Sequence, residues 1–484
     1  MRRLLSLALL SAAAFAQTTL SPTVRQFVSV DAPLVALTHV RVIDGTGAPA
    51  RDNQTVVISA GKIQSVGDAA PPAGAKVLDL AGYSVIPGLV GMHDHMFYPS
   101  GGGPYYNELQ FSFPRLYLAG GVTTIRTTGS LEPYTDLELK KAIDAGKVPG
   151  PKMHVTGPYL EGPGAFTLQM HQLTGPDDAT RLVNYWADEG VTSFKAYMNI
   201  TRAELAAAVK AAHARNLKVT GHLCSIGFRE AAEIGIDDLE HGWVADTEFS
   251  PGKQPDQCPN AGSRRAGEQV DINSPDVQKT IQELVARHVA VTSTLPVFEI
   301  SVPGRPPFDT QGRAAAPPAP DAPPTYMQKV LDSMNADARS AYLTTRARVG
   351  ANPNSTGAEV LKKEMEFEHA FSKAGGLLLA GLDPTGYGGV VAGFGDQREV
   401  ELLVEAGFTP LEAIHIATAN GAQFLGEAAI GTIAPGKAAD LVVIKGDPST
   451  KITDIENVET VFKDGIGYDS RKLIESARGT VGLH

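Results

Sequence analysis

Near both ends of the chain, apolar and polar positions alternate in short runs. Val40-Arg41-Val42-Ile43 leads into the turn-like Asp44-Gly45-Thr46-Gly47. The β-branched run Thr55-Val56-Val57-Ile58 is followed by Ala60-Gly61-Lys62 and then Ile63-Gln64-Ser65-Val66. A period of two broken by glycine-containing turns is the signature of half-buried strands. The same pattern returns in Ala439-Asp440-Leu441-Val442-Val443-Ile444, and again in Val458-Glu459-Thr460-Val461-Phe462 before the turn Lys463-Asp464-Gly465. Residues 32–84 and 427–468 are therefore expected to fold together as a small β-sandwich built from both chain ends.

Residues 85–426 follow a different rhythm, in which short apolar runs alternate with longer stretches of helical period. Eight strands are predicted: Leu89–Met92, Val122–Arg126, Lys152–Thr156, Ser193–Ala196, Lys218–Gly221, Asp238–Glu240, Val289–Ser293 and Leu377–Ala380. The clearest helix is Thr201–Arg215, where Thr201 and Glu204 form a capping box ahead of alanine-rich sequence. Repeated βα units of this number predict an α/β fold of the (β/α)8 TIM-barrel type. Two stretches, Gly242–Arg287 and Pro303–Gly357, are too long for simple connections. They are expected as loops or lids over the C-terminal face, the second carrying an irregular Pro/Ala-rich run, Ala314–Pro324.

Composition narrows the function classes. With 484 residues, 43% hydrophobic and 20% charged, the chain can build a large core without a disulfide scaffold. Its formal net charge of −11 leaves no basic stripe to neutralise phosphates, so no nucleic-acid partner is expected. Arg2 and Arg3, the apolar run Leu4–Leu10 and the small-x-small triplet Ala14-Phe15-Ala16 read as a signal peptide over residues 1–16. The apolar run is too short to span a bilayer. The reading is of an exported protein, periplasmic or extracellular, with no membrane span. Export permits a disulfide between the two cysteines, Cys224 and Cys258, but the sequence leaves that pairing open, as it does a homo-oligomer.

The candidate chemistry lies at strand ends. His93-Asp94-His95 closes the apolar run Val85–Met92, and alternation turns both imidazoles to one side, with Asp94 between them turned away. His222, His241 and Asp383 each end a different predicted strand. A barrel gathers its functional groups at the C-terminal ends of its strands, and imidazole with carboxylate suits Zn²⁺ or a similar divalent ion.

These stretches resemble the amidohydrolase superfamily, in its imidazolonepropionase-like and prolidase-like branch. The resemblance is carried by Val85-Ile86-Pro87-Gly88-Leu89-Val90-Gly91-Met92-His93-Asp94-His95, Gly121–Arg126, Thr220-Gly221-His222, Leu239-Glu240-His241-Gly242, Ala380-Gly381-Leu382-Asp383 and Gly436–Val442. It implies a metal-dependent hydrolase of C–N amide or peptide bonds using a metal-bridging hydroxide, with a small-molecule or short-peptide substrate such as a dipeptide or N-acyl amino acid. It also implies two divalent ions, expected to be Zn. His93, His95 and Asp383 would hold one ion and His222 and His241 the other. Lys195, at the end of the fourth strand, would bridge both as an N6-carboxylated lysine. Asp383 would move the catalytic proton.

Tyr197, His171, Arg126 and His154 are candidate substrate contacts. Arg126 has an equally weighted alternative partner in an internal acid. The chain departs from relatives in having Arg126-Thr127 where Arg-Asp is common, and Glu161-Gly162-Pro163-Gly164 where a Gly-Gly-His loop is common. Two other readings stand beside the first: a mononuclear cyclic-amide hydrolase or deaminase, and a catalytically inactive scaffold of the same fold.

Overall fold

A computed structural model describes residues 19–99, 105–165, 167–307 and 324–483. The expected signal peptide and most of the Pro/Ala-rich run lie outside the described residues. The N-terminal strands are β1 (Val28–Val30), β2 (Leu34–Val42), β3 (Arg51–Ser59), β4 (Lys62–Gly67), β5 (Lys76–Asp79) and β6 (Tyr83–Pro87). The central chain adds β7 (Leu89–Asp94), the hairpin β8 (Phe97–Pro99) and β9 (Tyr106–Glu108), then β10 (Val122–Thr127), β11 (Lys152–His154), β12 (Ser193–Ala196), β13 (Lys218–Gly221), β14 (Asp238–Glu240), β15 (Ala290–Ser293) and β16 (Leu378–Ala380). The last strands are β17 (Leu441–Lys445), β18 (Val458–Lys463) and β19 (Ile466–Asp469).

The eight strands expected from the apolar runs are all present, in a TIM-barrel-type α/β arrangement. β7, β10 and β11 pair in parallel, as do β12 through β16 in order. Parallel bridges Thr156–Ser193 and Leu160–Ala196 link β11 to β12. The amides of Leu382 and Asp383, just past β16, donate to the carbonyl of His93 in β7 at 3.3 and 3.0 Å. Strands buried on both faces read as continuous apolar runs, which is why these were legible without alternation.

The two chain ends share one nine-stranded sheet, ordered β1-β19-β18-β17-β6-β2-β3-β4 with β5 beside β2. Leu37, Val56, Ile63, Val85, Leu441 and Phe462, drawn from strands far apart along that order, belong to one buried apolar cluster. β17 pairs antiparallel with β6, and β6 runs directly into β7, so the sheet is anchored at the root of the first site-bearing strand.

The two long stretches differ from expectation. Residues 242–287 contain helices Ala261–Glu268 and Pro275–Ala286, and residues 303–357 contain Tyr326–Ser333 and Ala336–Gly350. Three of these four starts have a side-chain cap that a count of turn residues misses, and the fourth, Pro275–Ala286, opens on a proline. The Asn260 side chain accepts from the Ser263 amide, Thr325 and Gln328 form a capping box, and Asn335 accepts from Ala338. Cys224 and Cys258 are joined by a disulfide, tying the segment after β13 to the first of these stretches. No helix among the described residues is long and apolar enough to cross a membrane.

The packing encloses several carboxyls. Burial pushes Asp136 and Asp396 up to about 7, and Asp246 and Glu364 up to about 8. A carboxyl raised on folding favours the native state fully below its unfolded pKa and gives that contribution up as pH climbs through the folded value. The melting temperature is therefore expected to fall as pH rises from the ordinary carboxyl values, 3.8 and 4.5, to about 8, and to level off above. Thermal melts across that window check the sign. Replacing Glu364 by Gln should flatten the slope.

Candidate metal centre

β7 delivers His93 and His95 side by side, their rings 5.2 Å apart at 88°. His241 follows β14 with φ 68°, and Asp383 follows β16 with φ 52°, both in the left-handed region that non-glycine residues seldom occupy. These turns are held from outside. Glu364 accepts the amides of Trp243 and Val244 at 3.0 and 2.8 Å. The Thr385 hydroxyl donates to Asp383 Oδ1 at 2.9 Å. The His93 and His241 rings are 4.5 Å apart, and the His222 and His241 rings 4.4 Å apart. Lys195 Nζ, at the end of β12, lies 3.2 Å from His93 Nε2. All six residues expected at the site are thus brought together.

Three imidazoles have one nitrogen committed. His93 Nδ1 bonds Glu240 Oε2 at 2.7 Å, His95 Nδ1 donates to the Gly129 carbonyl at 3.2 Å, and His241 Nδ1 meets the Thr294 hydroxyl at 2.7 Å. Each leaves Nε2 turned toward Asp383: His93 at 3.9 Å and His95 at 3.6 Å from Oδ1, His241 at 3.8 Å from Oδ2. Donor atoms of His93, His241 and Asp383 all lie within 4.8 Å of one another. Burial drives the His93, His95 and His241 pKa values well below the ordinary imidazole range, so the rings are neutral lone-pair donors. A divalent cation fits this set: neutral nitrogens and a carboxylate converge, and their outer nitrogens are oriented by acceptors behind them.

Two functional groups acquire unusual proton affinities. Burial pushes the Lys195 amine down to about 8, against an upward pull from Glu240 and Asp383. Burial lifts the Asp383 carboxyl to about 6, with Lys195 opposing. Both values sit close to neutrality, where protons are most readily exchanged.

The four candidate substrate contacts separate. Tyr197 lies beside the centre, its ring 5.0 Å from that of His222. Arg126 does not face the open site. It is almost fully buried and donates to Glu240 at 3.1 Å, to the Met92 carbonyl at 2.8 Å and to the Thr220 and Ser193 hydroxyls at 2.5 and 3.3 Å. The internal acid is its partner, because a guanidinium inside the strands needs its charge and donors satisfied. His171 is half-exposed and pairs with Asp178 at 3.0 Å. His154 pairs with Glu427 at 3.5 Å. Both are drawn to carboxylates outside the imidazole cluster.

Glu240 was not singled out by sequence, yet it orients His93 and receives Arg126. Burial raises its pKa, but Arg126 and Lys195 outweigh this and hold it below the ordinary carboxylate range. The signal was available: Asp238-Leu239-Glu240 puts two acids on one face of a buried strand, a costly placement without an internal partner. Glu240→Gln is expected to weaken divalent-metal affinity by about 10–100-fold. Competition with a chelator reads this directly.

A model of the amidohydrolase family matches residues 84–247 and 388–466, half of the chain. The chain belongs to the amidohydrolase family. A dihydroorotase from Lactobacillus leichmannii is 37% identical over 83 residues, 17% of this amidohydrolase and 19% of that protein. The chain thus matches about a fifth of the length of that curated relative. Among solved structures, a bottromycin amidohydrolase superposes with a TM-score of 0.68 at 20% identity, covering 94% of this chain and 91% of that one. A Xaa-Pro dipeptidase with methionine bound in its active site gives 0.65 at 20% identity, covering 90% and 100%. At such identities the likeness speaks for the amidohydrolase fold.

Proposed function

We propose that this amidohydrolase is an exported, metal-dependent hydrolase of C–N amide or peptide bonds, acting on a dipeptide or N-acyl amino acid. In this reading β7 and β10 through β16 form one closed eight-stranded barrel over residues 85–426. The shared sheet, over residues 32–84 and 427–468, is a folded sandwich beside it. The observation that carries the reading is the convergence of three imidazole Nε2 atoms on Asp383, each ring fixed by a bond at its other nitrogen. The family, and relatives named as an amidohydrolase and a dipeptidase, support the bond type.

His93, His95, His222, His241, Asp383 and a carboxylated Lys195 would hold two divalent ions, Zn by preference. Bound there, the ions supply Lewis acidity and lower the pKa of water. The chain's own work is proton handling. Asp383 accepts a proton from the attacking water and returns it to the departing nitrogen. That return is decisive, since an amide anion leaves poorly. Thr385 and the left-handed turn keep the carboxylate aimed at the imidazoles through both transfers.

One observation favours a second reading. The tightest donor cluster among the described residues, His93, His241 and Asp383, would serve a single ion, as in a mononuclear cyclic-amide hydrolase or deaminase. Metal analysis of the purified protein separates these readings. Two ions per chain with turnover of dipeptides or N-acyl amino acids supports the first, and one ion with ring opening or deamination supports the second. No bound ion and no turnover would leave an inactive scaffold. Phosphotriester hydrolysis without amide cleavage across a broad panel would overturn the bond assignment.

A further inference from the structure

The imidazole centre is overlaid on its C-terminal side by an aromatic layer. Phe97 in β8 stacks on His95, with ring centroids 4.2 Å apart at 22°. Tyr106 in β9 meets Phe97 edge-on at 5.2 Å. Tyr159, beyond β11, lies 6.4 Å from His95 and 4.9 Å from Tyr197, and Tyr197 in turn lies 5.0 Å from His222. The rings therefore form an arc running from one imidazole to another. Lys195 Nζ sits beneath it, 5.7 Å from the Tyr159 ring and 5.8 Å from that of Tyr197.

With Met170 and Leu131 these rings make a small apolar cluster separate from the main core. The barrel does not need them for its core. They come from the β8–β9 hairpin that follows β7 and from the segments just past β11 and β12, the end of the strands where a barrel places what touches substrate. Phe97 and Tyr159 are buried, while Tyr106 and Tyr197 are half-buried, so the arc meets solvent at those two tyrosines.

Resting on the amide-hydrolase reading above, we propose that this arc is the substrate subsite and takes an amide carrying an aromatic or flat apolar ring next to the scissile bond. A planar ring laid against the half-buried Tyr106 and Tyr197, with Phe97 behind Tyr106, gains offset or edge-to-face contacts that an aliphatic chain of equal area does not, because ring edges and faces carry opposite partial charge. A charged side chain in the same place would lose its hydration to an apolar wall. Phe97 and Tyr106 are then specificity-determining residues.

The test compares N-acetyl-phenylalaninamide with N-acetyl-leucinamide, and N-benzoyl-glycine with N-acetyl-glycine, on the metal-loaded protein. Both kcat/KM and calorimetric binding are read. The aromatic member of at least one pair should be preferred by about 3–10-fold, carried in KM or binding rather than in kcat. Phe97→Leu and Tyr106→Leu keep apolar volume but remove the rings. Each should pull that ratio toward unity, and metal content with a thermal melt shows whether the variant is folded and loaded. Equal use of both members by the unaltered protein would overturn the proposal. So would a ratio that survives both substitutions in folded, loaded protein. Aromatic preference in binding without cleavage would count against amide hydrolysis and leave the subsite standing; cleavage without preference would do the reverse.

Discussion

Lys195→Ala is expected to lose most bound metal and to lower kcat by about 10³-fold or more. The amine is almost wholly withdrawn from water and touches His93, so the ammonium is disfavoured and its pKa falls to about 8. Divalent cations in the same space would disfavour it further. A neutral amine can attack CO₂, forming a C–N bond and releasing its proton, to give a carbamate with two anionic oxygens suited to two cations. Alanine removes that ligand but leaves its space. Acetate or propionate added with metal should restore part of the turnover, and bicarbonate should speed metal reconstitution of the unaltered protein. A high-resolution map showing a free amine beside a loaded, active centre would refute the carbamate. Undiminished activity of Lys195→Ala would remove the residue from the site altogether.

Asp383→Asn should separate binding from chemistry. The asparagine oxygen can still face the imidazoles, and Thr385 can still hold the side chain. The amide cannot accept a proton. The expected result is a fall in kcat of about 10²–10⁴-fold with metal content close to that of the unaltered protein. Metal analysis and steady-state kinetics on one preparation read both quantities. Near-normal kcat would take the proton-transfer role away from Asp383, and loss of metal in step with activity would make it a ligand alone.

Much of the frame could be read from the chain because burial leaves simple marks. The eight central strands are short apolar runs, and six polar residues at their ends stand out against them: His93, His95, Lys195, His222, His241 and Asp383. The second layer was harder. Arg126 is a lone cation on a buried strand, and sequence could not choose between substrate and an internal acid. The choice depends on Glu240, over a hundred residues away, whose bonds to Arg126 and His93 are set by the parallel pairing of distant strands. His154 was illegible for the same reason, since Glu427 becomes its neighbour only on folding, whereas the partner of His171, Asp178, lies seven residues along the chain. The helices within residues 242–287 and 303–357 escaped notice because one capping side chain or an opening proline starts each of them, within stretches rich in breakers.

The order of the shared sheet also bears on when the molecule can fold. β17, β18 and β19 are inserted between β1 and β6, so β1 lacks its neighbour and β6 one of its two until residues 441–469 have left the ribosome. Until then β1 and one side of β6 are open edges, and part of the apolar cluster has no cover. Such a nascent chain cannot close its sheet during synthesis and pairs its most distant segments last. In a cell this extends the time during which the polypeptide is still thread-like and accessible to chaperones. On the reading of residues 1–16 as a signal peptide, late closure would keep the chain translocation-competent.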